Sequence, residues 1–506
     1  MSTSQRILKN TGFLYIRMGI TVLISLYTTR LILNSLGASD FGIFAVVGGA
    51  IGMLSFLDGA MSTATQRFMS YAEGEGNIIK KIKVFNVSIV LHFVISIIVL
   101  LLLEGAYFIF FNGILNITSD RIFAAKTIYQ FMILSSFFTI LTVPFDATIN
   151  SHENMLFYGI TGVLESVLKL ILAIWLTYTQ SDKLIQYGLF ITLIIIFILI
   201  IKFIYCKIKY EECKFNRKHF DKSLFKEMLN FAGWNFISSS GTLVGNYSSN
   251  LVVNYYFGTV VNAAQGIVGQ LNGQLLAFSN NMLKAINPVI VKKEGGGNRD
   301  SMMKITITGS KLSYVLLAIF AIPFLLESSY ILKLWLKQVP LWTLSFSRLF
   351  LITTLIQQLT ITFNTTIGAT GKIKVISTFN AMISLVPNIF YIIIFSNGGS
   401  PIWLYVLILI NLGIINGIFI TYQCKKQCGL DIYLFIKKVI ITNLYTTLST
   451  LAIGFLIIYF QKESFLRLME VVILCPILFL ILTYIFTLDI DEKNIIKSLK
   501  SKFIKN

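Results

Sequence analysis

Long apolar runs, separated by short polar stretches, recur along the whole of this sequence. Of its 506 residues, 55% are hydrophobic and 13% are charged, whereas soluble domains average about 25% charged residues. Runs of roughly 18 or more apolar residues can cross a bilayer as helices, and in lipid only helices and closed barrels satisfy every backbone group. The sequence therefore predicts an all-α, polytopic membrane protein.

The runs indicate about fourteen spans. Six form an N-lobe, at approximately 12–33, 41–63, 84–111, 122–148, 156–178 and 185–206. Six form a C-lobe, at approximately 230–255, 261–290, 305–336, 344–368, 375–396 and 400–423, and two extra spans follow at 436–460 and 465–488. The predicted domains are an N-lobe over 1–206, a basic cytoplasmic linker over 207–226, a C-lobe over 227–424, and the extra helices with a cytoplasmic tail over 425–506. The first run is too long for a signal peptide and is expected to remain as a span.

An internal duplication relates the two lobes. The stretches Asn10 to Asn77 and Asn230 to Asn298 share one layout, and each ends in a glycine-rich polar turn. They match at an offset of 220 residues at first and of 221 later, with the following pairs among the matches at 221: Gly37 and Gly258, Gly74 and Gly295, Gly76 and Gly297, and Asn77 and Asn298. Because six spans per copy is an even number, both copies enter the membrane in the same direction, as pseudo-symmetric parallel repeats.

The formal net charge of the chain is +19 at pH 7. Binding to nucleic acid is one interpretation of this charge. The positive-inside rule explains it better, because lysine and arginine are concentrated in alternate loops. Those loops and both chain termini are therefore assigned to the cytoplasm, and no nucleic-acid partner is expected.

Little in the sequence indicates an enzyme, a metal site or a cofactor, and none of the three is expected. The five cysteines lack the pairing with histidines or further cysteines that is typical of zinc sites. The turn from Glu294 to Asn298 is not a Walker motif. The predicted outer loops are short, which argues against a membrane-embedded polysaccharide polymerase or ligase.

Charged residues inside the predicted spans are costly and are therefore functional candidates. Glu165 and Lys169 lie four residues apart in the fifth span, so they share one helix face. One interpretation is a structural pair in which each charge neutralises the other. The functional interpretation puts both on the wall of a water-filled cavity, where one releases its partner to meet substrate or a proton.

Three further charged residues lie in the first two spans. Arg17 and Arg30 are on different faces of the first span, and a guanidinium presents a fork to phosphate oxygens. Anchoring at the membrane interface is the alternative for each arginine. Asp58, in the second span, can carry coupling protons or bind Na⁺, or it can be a structural partner of Arg17. Lys126, Lys284 and Lys311 lie toward span ends, from which their ammonium groups are expected to reach the interface.

The seventh and eighth spans carry many amides and hydroxyls, which lipid would not tolerate unpaired. We therefore expect these helices to face a hydrated cleft. Amides supply both the donors and the acceptors that sugar hydroxyls need, although hydrogen bonding between helices is an alternative role. The predicted sugar-facing residues are Asn235, Asn246, Asn250, Gln270, Gln274 and Asn281.

Several local motifs resemble one known family. They are Asn10-Thr-Gly, Thr29-Arg30-Leu, Leu36-Gly-Ala-Ser-Asp40-Phe-Gly-Ile, Gln66-Arg67-Phe and the turn Glu73-Gly-Glu-Gly-Asn77. Together they resemble the O-antigen and capsule repeat-unit flippases (Wzx type) of the multidrug/oligosaccharidyl-lipid/polysaccharide (MOP) exporter superfamily. The resemblance covers essentially the whole chain, including the two extra spans. It implies a MATE-like V of two six-helix lobes.

The resemblance also implies a function and a location. The function is movement of undecaprenyl-pyrophosphate-linked oligosaccharide from the cytoplasmic to the outer leaflet of a bacterial inner membrane. Because relatives such as the lipid II flippases use cationic cavity residues, including first-span arginines, Arg17 and Arg30 are the expected pyrophosphate-binding residues, with Lys169 beside them.

The expected mechanism is alternating access. The polyprenyl tail stays among membrane lipids, and H⁺ or Na⁺ acts through Asp58 or Glu165. A polysaccharide polymerase is a candidate partner protein. A multidrug exporter, expected to have an acidic and aromatic cavity, and a lipid II flippase, expected to be essential, are the alternatives.

Overall fold

A computed structural model of the chain describes residues 3–52, 55–111, 117, 119–490 and 492–494. Every regular element in these ranges is helical, which confirms the all-α prediction. The first elements are α1 (Thr3–Gly52), α2 (Ser55–Glu75), α3 (Ile78–Ile109), α4 (Ile122–Ser151), α5 (Met155–Tyr178) and α6 (Lys183–Lys209), followed by the 3₁₀ turns Glu211–Cys213 and Arg217–His219.

The second half begins with the longest helix, α7. It contains α7 (Lys222–Gly295), α8 (Arg299–Leu336), α9 (Thr343–Gln358), α10 (Ile361–Ala369), α11 (Lys374–Ser396), α12 (Trp403–Ile408), α13 (Asn416–Cys428), α14 (Ile432–Phe435), α15 (Thr442–Phe460) and α16 (Phe465–Leu482). The segments Leu409–Ile415, Ile436–Ile441 and Thr483–Thr487 are π-helical.

Eleven helices in the described ranges are long and apolar enough to cross a membrane. The other three predicted spans, 41–63, 230–255 and 261–290, fall in α1, α2 and α7. These helices have lower mean hydropathy. The chain is a multi-pass membrane protein, and its most polar spans lie in the duplicated stretches.

Two matched glycines interrupt the helices of the duplication. Gly37 breaks α1 with φ 76° and ψ 168°, and Gly258 breaks α7 with φ 74° and ψ −170°. This region of backbone space is essentially restricted to glycine. The two copies therefore share a backbone conformation that their matched sequence positions require.

A second matched pair lies where the ends of α2 and α7 cross. A Cβ on Gly74 would lie 2.0 Å from the carbonyl oxygen of Lys292, and a Cβ on Gly295 would lie 2.2 Å from that of Tyr71. Tyr71 and Lys292 are themselves separated by the same offset of 221 residues. The crossing is therefore pseudo-symmetric, and only glycine fits at its two closest points.

Replacing Gly74 by valine should lower the free energy of unfolding by about 2–3 kcal/mol, because the side chain would overlap a backbone carbonyl that has no room to move. The thermal midpoint of the purified protein in detergent measures this effect. Gly59→Ala in the same helix is the matched control, since its new methyl group would meet no atom of another segment within 4 Å. Equal midpoints for the two variants would contradict the close crossing.

The described chain forms two compact units. The N-unit comprises Lys9–Phe236 and Val291–Gly297, and the C-unit comprises Met1–Leu8, Ile237–Ile290 and Asn298–Asn506. The domain boundaries expected from the sequence remain a prediction.

Each unit has its own hydrophobic core. In the N-unit, α1, α5 and α6 pack through residues such as Ile32, Leu172 and Tyr187. In the C-unit, both halves of α7 pack on α9, α11 and α12 around Phe346 and Tyr391.

Buried ion pairs attach the C-terminal helices to α8 within the C-unit. Arg467 of α16 donates from Nε to Glu327 Oε1 at 2.7 Å and from its terminal nitrogen to Oε2 at 2.8 Å. Lys311 of α8 is 1% exposed and lies 2.9 Å from Glu492 Oε2. The expectation that Lys311 reaches the membrane interface is therefore wrong, because the ammonium is buried against a carboxylate instead.

Candidate functional site

A cavity of about 550 Å³ lies inside the C-unit. Both halves of α7 contribute polar side chains to its lining, namely Ser238, Thr242, Asn246, Ser249, Asn250 and Gln265. The helices from α9 to α13 contribute Gln357, Asn364, Asn380, Ser384, Asn411 and Asn416. No charged residue of the described chain lines this cavity, although its volume is typical of sites for small molecules.

Helical periodicity and small residues explain how the polar side chains reach the cavity. Ser238, Thr242, Asn246 and Asn250 recur every four residues along one face of α7. On the same helix a Cβ at Gly245 would lie 2.3 Å from the carbonyl oxygen of Ser384 in α11. The absence of a side chain there lets the two helices approach closely, and the neighbouring polar residues line the space beside the contact.

Two amide oxygens of the lining, Gln265 Oε1 and Asn416 Oδ1, are buried without a hydrogen-bond partner among the described residues. A buried acceptor without a donor costs roughly 1–3 kcal/mol. A hydroxyl-bearing ligand would supply the missing donors, and Tyr391 and Tyr405 provide an aromatic part of the wall. The cavity is therefore suited to a neutral ligand that is rich in hydrogen-bonding groups.

The structure places the predicted sugar-facing residues in different surroundings. Asn246 and Asn250 line the cavity, whereas Gln270 and Gln274 are exposed outside its lining. Asn281 donates a hydrogen bond to the carbonyl oxygen of Ala277 in its own helix at 2.9 Å. Asn235 belongs to the N-unit, so it is not part of this cavity.

Sequence reasoning missed the amides that α9 to α13 contribute. Gln357, Asn364, Asn380, Asn411 and Asn416 each interrupt a run of mainly apolar or small residues in a predicted span. A buried amide in such a run needs a partner, and this was the available signal. Its individual members are too widely spaced to form a recognisable motif.

Arg17 lies against α5 in the N-unit. Its guanidinium carbon is 4.6 Å from the centroid of the Tyr158 ring. A Cβ on Gly162 would lie 2.2 Å from Arg17 Nε, so the missing side chain of this glycine makes room for the guanidinium. The aromatic face orients the arginine and leaves its charge unneutralised by that contact. Arg17 therefore remains a candidate for binding an anion.

The other predicted charged residues have different environments. Lys169 Nζ lies 2.6 Å from Glu165 Oε1, with the two side chains 38% and 34% exposed. Arg30 is exposed on α1. The side chain of Asp58 lies outside the described residues. The structure thus brings Glu165 and Lys169 together as an ion pair and leaves Arg30 apart from them in accessibility.

A cluster of charged groups lies at the predicted cytoplasmic side of the N-unit. His152 Nε2 lies 2.5 Å from Glu212 Oε1 and His152 Nδ1 lies 3.5 Å from Glu73 Oε1. Lys81 and Lys292 also contact Glu73, at 2.8 and 3.3 Å. Burial raises the pKa of Glu73, but the hydrogen bond from Lys81 and the neighbouring positive charges outweigh it, so the pKa is lowered overall.

The pKa of Glu212 is also lowered, because hydrogen bonding to His152 outweighs the effect of burial. The ligand atoms of Glu73, His152 and Glu212 all lie within 4.8 Å of one another, a spacing that could hold a metal ion. The two lysines already supply positive charge at this position. We therefore interpret the cluster as an ionic network that holds these segments together.

Many apolar helices around a neutral polar cavity define the chain as a multi-pass membrane transporter. A family model described as "Polysaccharide biosynthesis protein" matches residues 7–293, which is more than half of the chain. The chain belongs to this family, within the MOP exporter superfamily. A search of curated proteins finds no match.

Solved structures of MATE transporters share the fold. A MATE transporter in the bent conformation superposes with a TM-score of 0.74 at 12% identity, over 85% of this chain and 96% of the other. A multidrug resistance MATE family transporter in an outward-facing conformation gives 0.72 at 12% identity, over 85% and 98%. A MOP superfamily transporter from Pyrococcus furiosus, described as having a binding pocket of reverse polarity, gives 0.71 at 13%, over 85% and 96%. The family and the fold are those of transporters, which are not enzymes.

Proposed function

We propose that this transporter moves undecaprenyl-pyrophosphate-linked oligosaccharide units from the cytoplasmic to the outer leaflet of a bacterial inner membrane. Such units serve the synthesis of O-antigen, capsule or a related surface polysaccharide. Membership of the polysaccharide biosynthesis family supports this proposal. The observation that carries it is the neutral, amide-rich cavity of the C-unit.

The chemistry of the cavity favours a glycan over an organic cation. Sugar hydroxyls both donate and accept hydrogen bonds, and amides offer complementary groups for each. The unpaired oxygens of Gln265 and Asn416 would accept from such hydroxyls. A site for cationic drugs needs negative charge or an electron-rich cage, and no carboxylate of the described residues lines this cavity.

We assign the pyrophosphate to Arg17 first. Its guanidinium is held on Tyr158 and can present two N–H groups to phosphate oxygens. Lys169 is already paired with Glu165, so it would bind an anion only after that pair opens. Arg30 is proposed as an additional contact because it is exposed.

We propose alternating access coupled to H⁺ or Na⁺ as the transport cycle. Glu165 is one proposed ion-binding residue, because protonation of its carboxylate would release Lys169. Asp58 is the other. The polyprenyl tail remains in contact with membrane lipids, and a polysaccharide polymerase is the proposed partner that receives the product.

Replacing Gln265 by leucine should reduce transport of the lipid-linked glycan about three- to tenfold, because one hydrogen bond to the sugar is lost. The rate at which labelled glycan lipid becomes accessible on the far leaflet of a proteoliposome measures this effect. Gln270→Leu is the matched comparison, since it removes the same group from the same helix outside the cavity. An equal loss in both variants would argue against a specific role for the cavity.

A further inference from the structure

A second concave surface lies on the N-unit, formed by α3, α4, α6 and the segment that follows α6. This groove has a volume of about 610 Å³ and a mainly apolar lining. Its aromatic residues include Phe93, Phe203 and Phe215, which are 49%, 44% and 55% exposed. In a membrane protein, an exposed aromatic and aliphatic surface of this kind is adapted to contact acyl chains.

Positive charge is confined to one end of the groove. Lys207 lies near the end of α6 and Lys214 follows it, whereas Ile200 lies about two helical turns, roughly 10 Å, further into the predicted span. Lys207 Nζ is 5.7 Å from the centroid of the Phe203 ring. Within the part of the chain that the structure describes, no acidic residue lines the groove. Its charge therefore complements an anionic group placed at the predicted cytoplasmic surface.

A buried asparagine fixes the segment that carries Lys214. Asn86 of α3 is 1% exposed. Its Nδ2 donates to the carbonyl oxygen of Lys214 at 3.3 Å, and its Oδ1 accepts from the backbone N–H of Asn216 at 2.7 Å. Phe215 lies between these two anchored residues. The wall of the groove is consequently a defined structure rather than a loosely attached loop.

We propose that this groove binds an anionic phospholipid of the cytoplasmic leaflet. One acyl chain lies along the phenylalanines, and the phosphate contacts Lys207 and Lys214. The arrangement matches the general design of lipid sites, in which basic residues meet the headgroup beside an apolar surface for the chain. This lipid is distinct from the transported substrate, so the inference does not depend on the proposed function.

Native mass spectrometry of the purified chain with phosphatidylglycerol or phosphatidylcholine tests the proposal. Wild type should retain phosphatidylglycerol preferentially. The double variant Lys207→Ala/Lys214→Ala should lose about thirtyfold in relative affinity for it, because each lysine near the headgroup contributes about fivefold. The control Lys222→Ala/Lys226→Ala removes the same charge from exposed positions outside the groove and should leave the preference unchanged.

A third variant tests the apolar part of the site. Ile89→Trp fills the groove and keeps both lysines, so it should weaken retention of both lipids. The proposal is overturned if the lysine variant keeps its preference for phosphatidylglycerol, or if the control variant loses as much. Unchanged retention of both lipids by Ile89→Trp would overturn the assignment of the acyl chain to this groove.

Discussion

Replacement of Arg17 by alanine is expected to abolish transport of the lipid-linked glycan, lowering the initial rate by at least about a hundredfold. The reason is the loss of a charge-assisted, bidentate contact with the pyrophosphate, the strongest type of hydrogen bond a side chain offers. Arg17→Lys should retain partial activity, because lysine keeps the charge but lacks the planar fork. Transport into proteoliposomes, with folding verified by size-exclusion chromatography, measures the effect.

Two glycines of α5 provide a matched test that leaves the arginine in place. In Gly162→Ala the new methyl group would lie 2.2 Å from Arg17 Nε, so the flexible guanidinium must move. In Gly159→Ala the nearest atoms are 3.9 Å away, an ordinary contact. We expect the first variant to fold and lose transport and the second to resemble wild type. Full transport by an Arg17→Ala/Arg30→Ala variant would remove both arginines from the site.

Removing the side chain of Arg467 is expected to cause the largest loss of stability. Glu327 is 1% exposed and its carboxylate is bound by both ends of the Arg467 guanidinium. Arg467→Ala would leave that carboxylate buried without a counter-charge, which costs about 3–5 kcal/mol. A large decrease in the thermal midpoint in detergent, with detachment of α15 and α16 from α8, is the expected observation.

Two further variants distinguish a buried charge effect from a general loss of contacts. Glu327→Leu/Arg467→Met replaces the pair by apolar groups and should recover most of the lost stability. Lys333→Ala breaks an ion pair whose side chains are 56% and 43% exposed, and it should change the free energy of unfolding by about 1 kcal/mol or less. Equal destabilisation by Arg467→Ala and Lys333→Ala would show that burial of the pair does not set its contribution.

The fold was largely predictable because it follows from local and periodic features. Apolar runs specify membrane helices irrespective of their partners. The offset of 221 residues identified Gly37 and Gly258, and the structure gives them nearly the same backbone conformation. A glycine with positive φ is one of the few sequence features whose conformational meaning does not depend on distant residues.

The candidate site was less predictable because it depends on contacts between distant segments. The amide-rich face of α7 was visible as a pattern, but Gln270 and Gln274 on the same helix lie outside the cavity. The partner of Lys311 is Glu492, 181 residues away. Without the tertiary structure, a buried ion pair of this kind cannot be distinguished from a lysine that reaches the membrane interface.

Transport of a lipid-linked glycan can be measured with the purified chain in proteoliposomes that contain the glycan lipid accumulated by a strain lacking the gene. Wild type is expected to expose this lipid on the opposite leaflet, and Arg17→Ala is expected not to do so. Export of an organic cation by wild type, without movement of the glycan lipid, would contradict the proposed function.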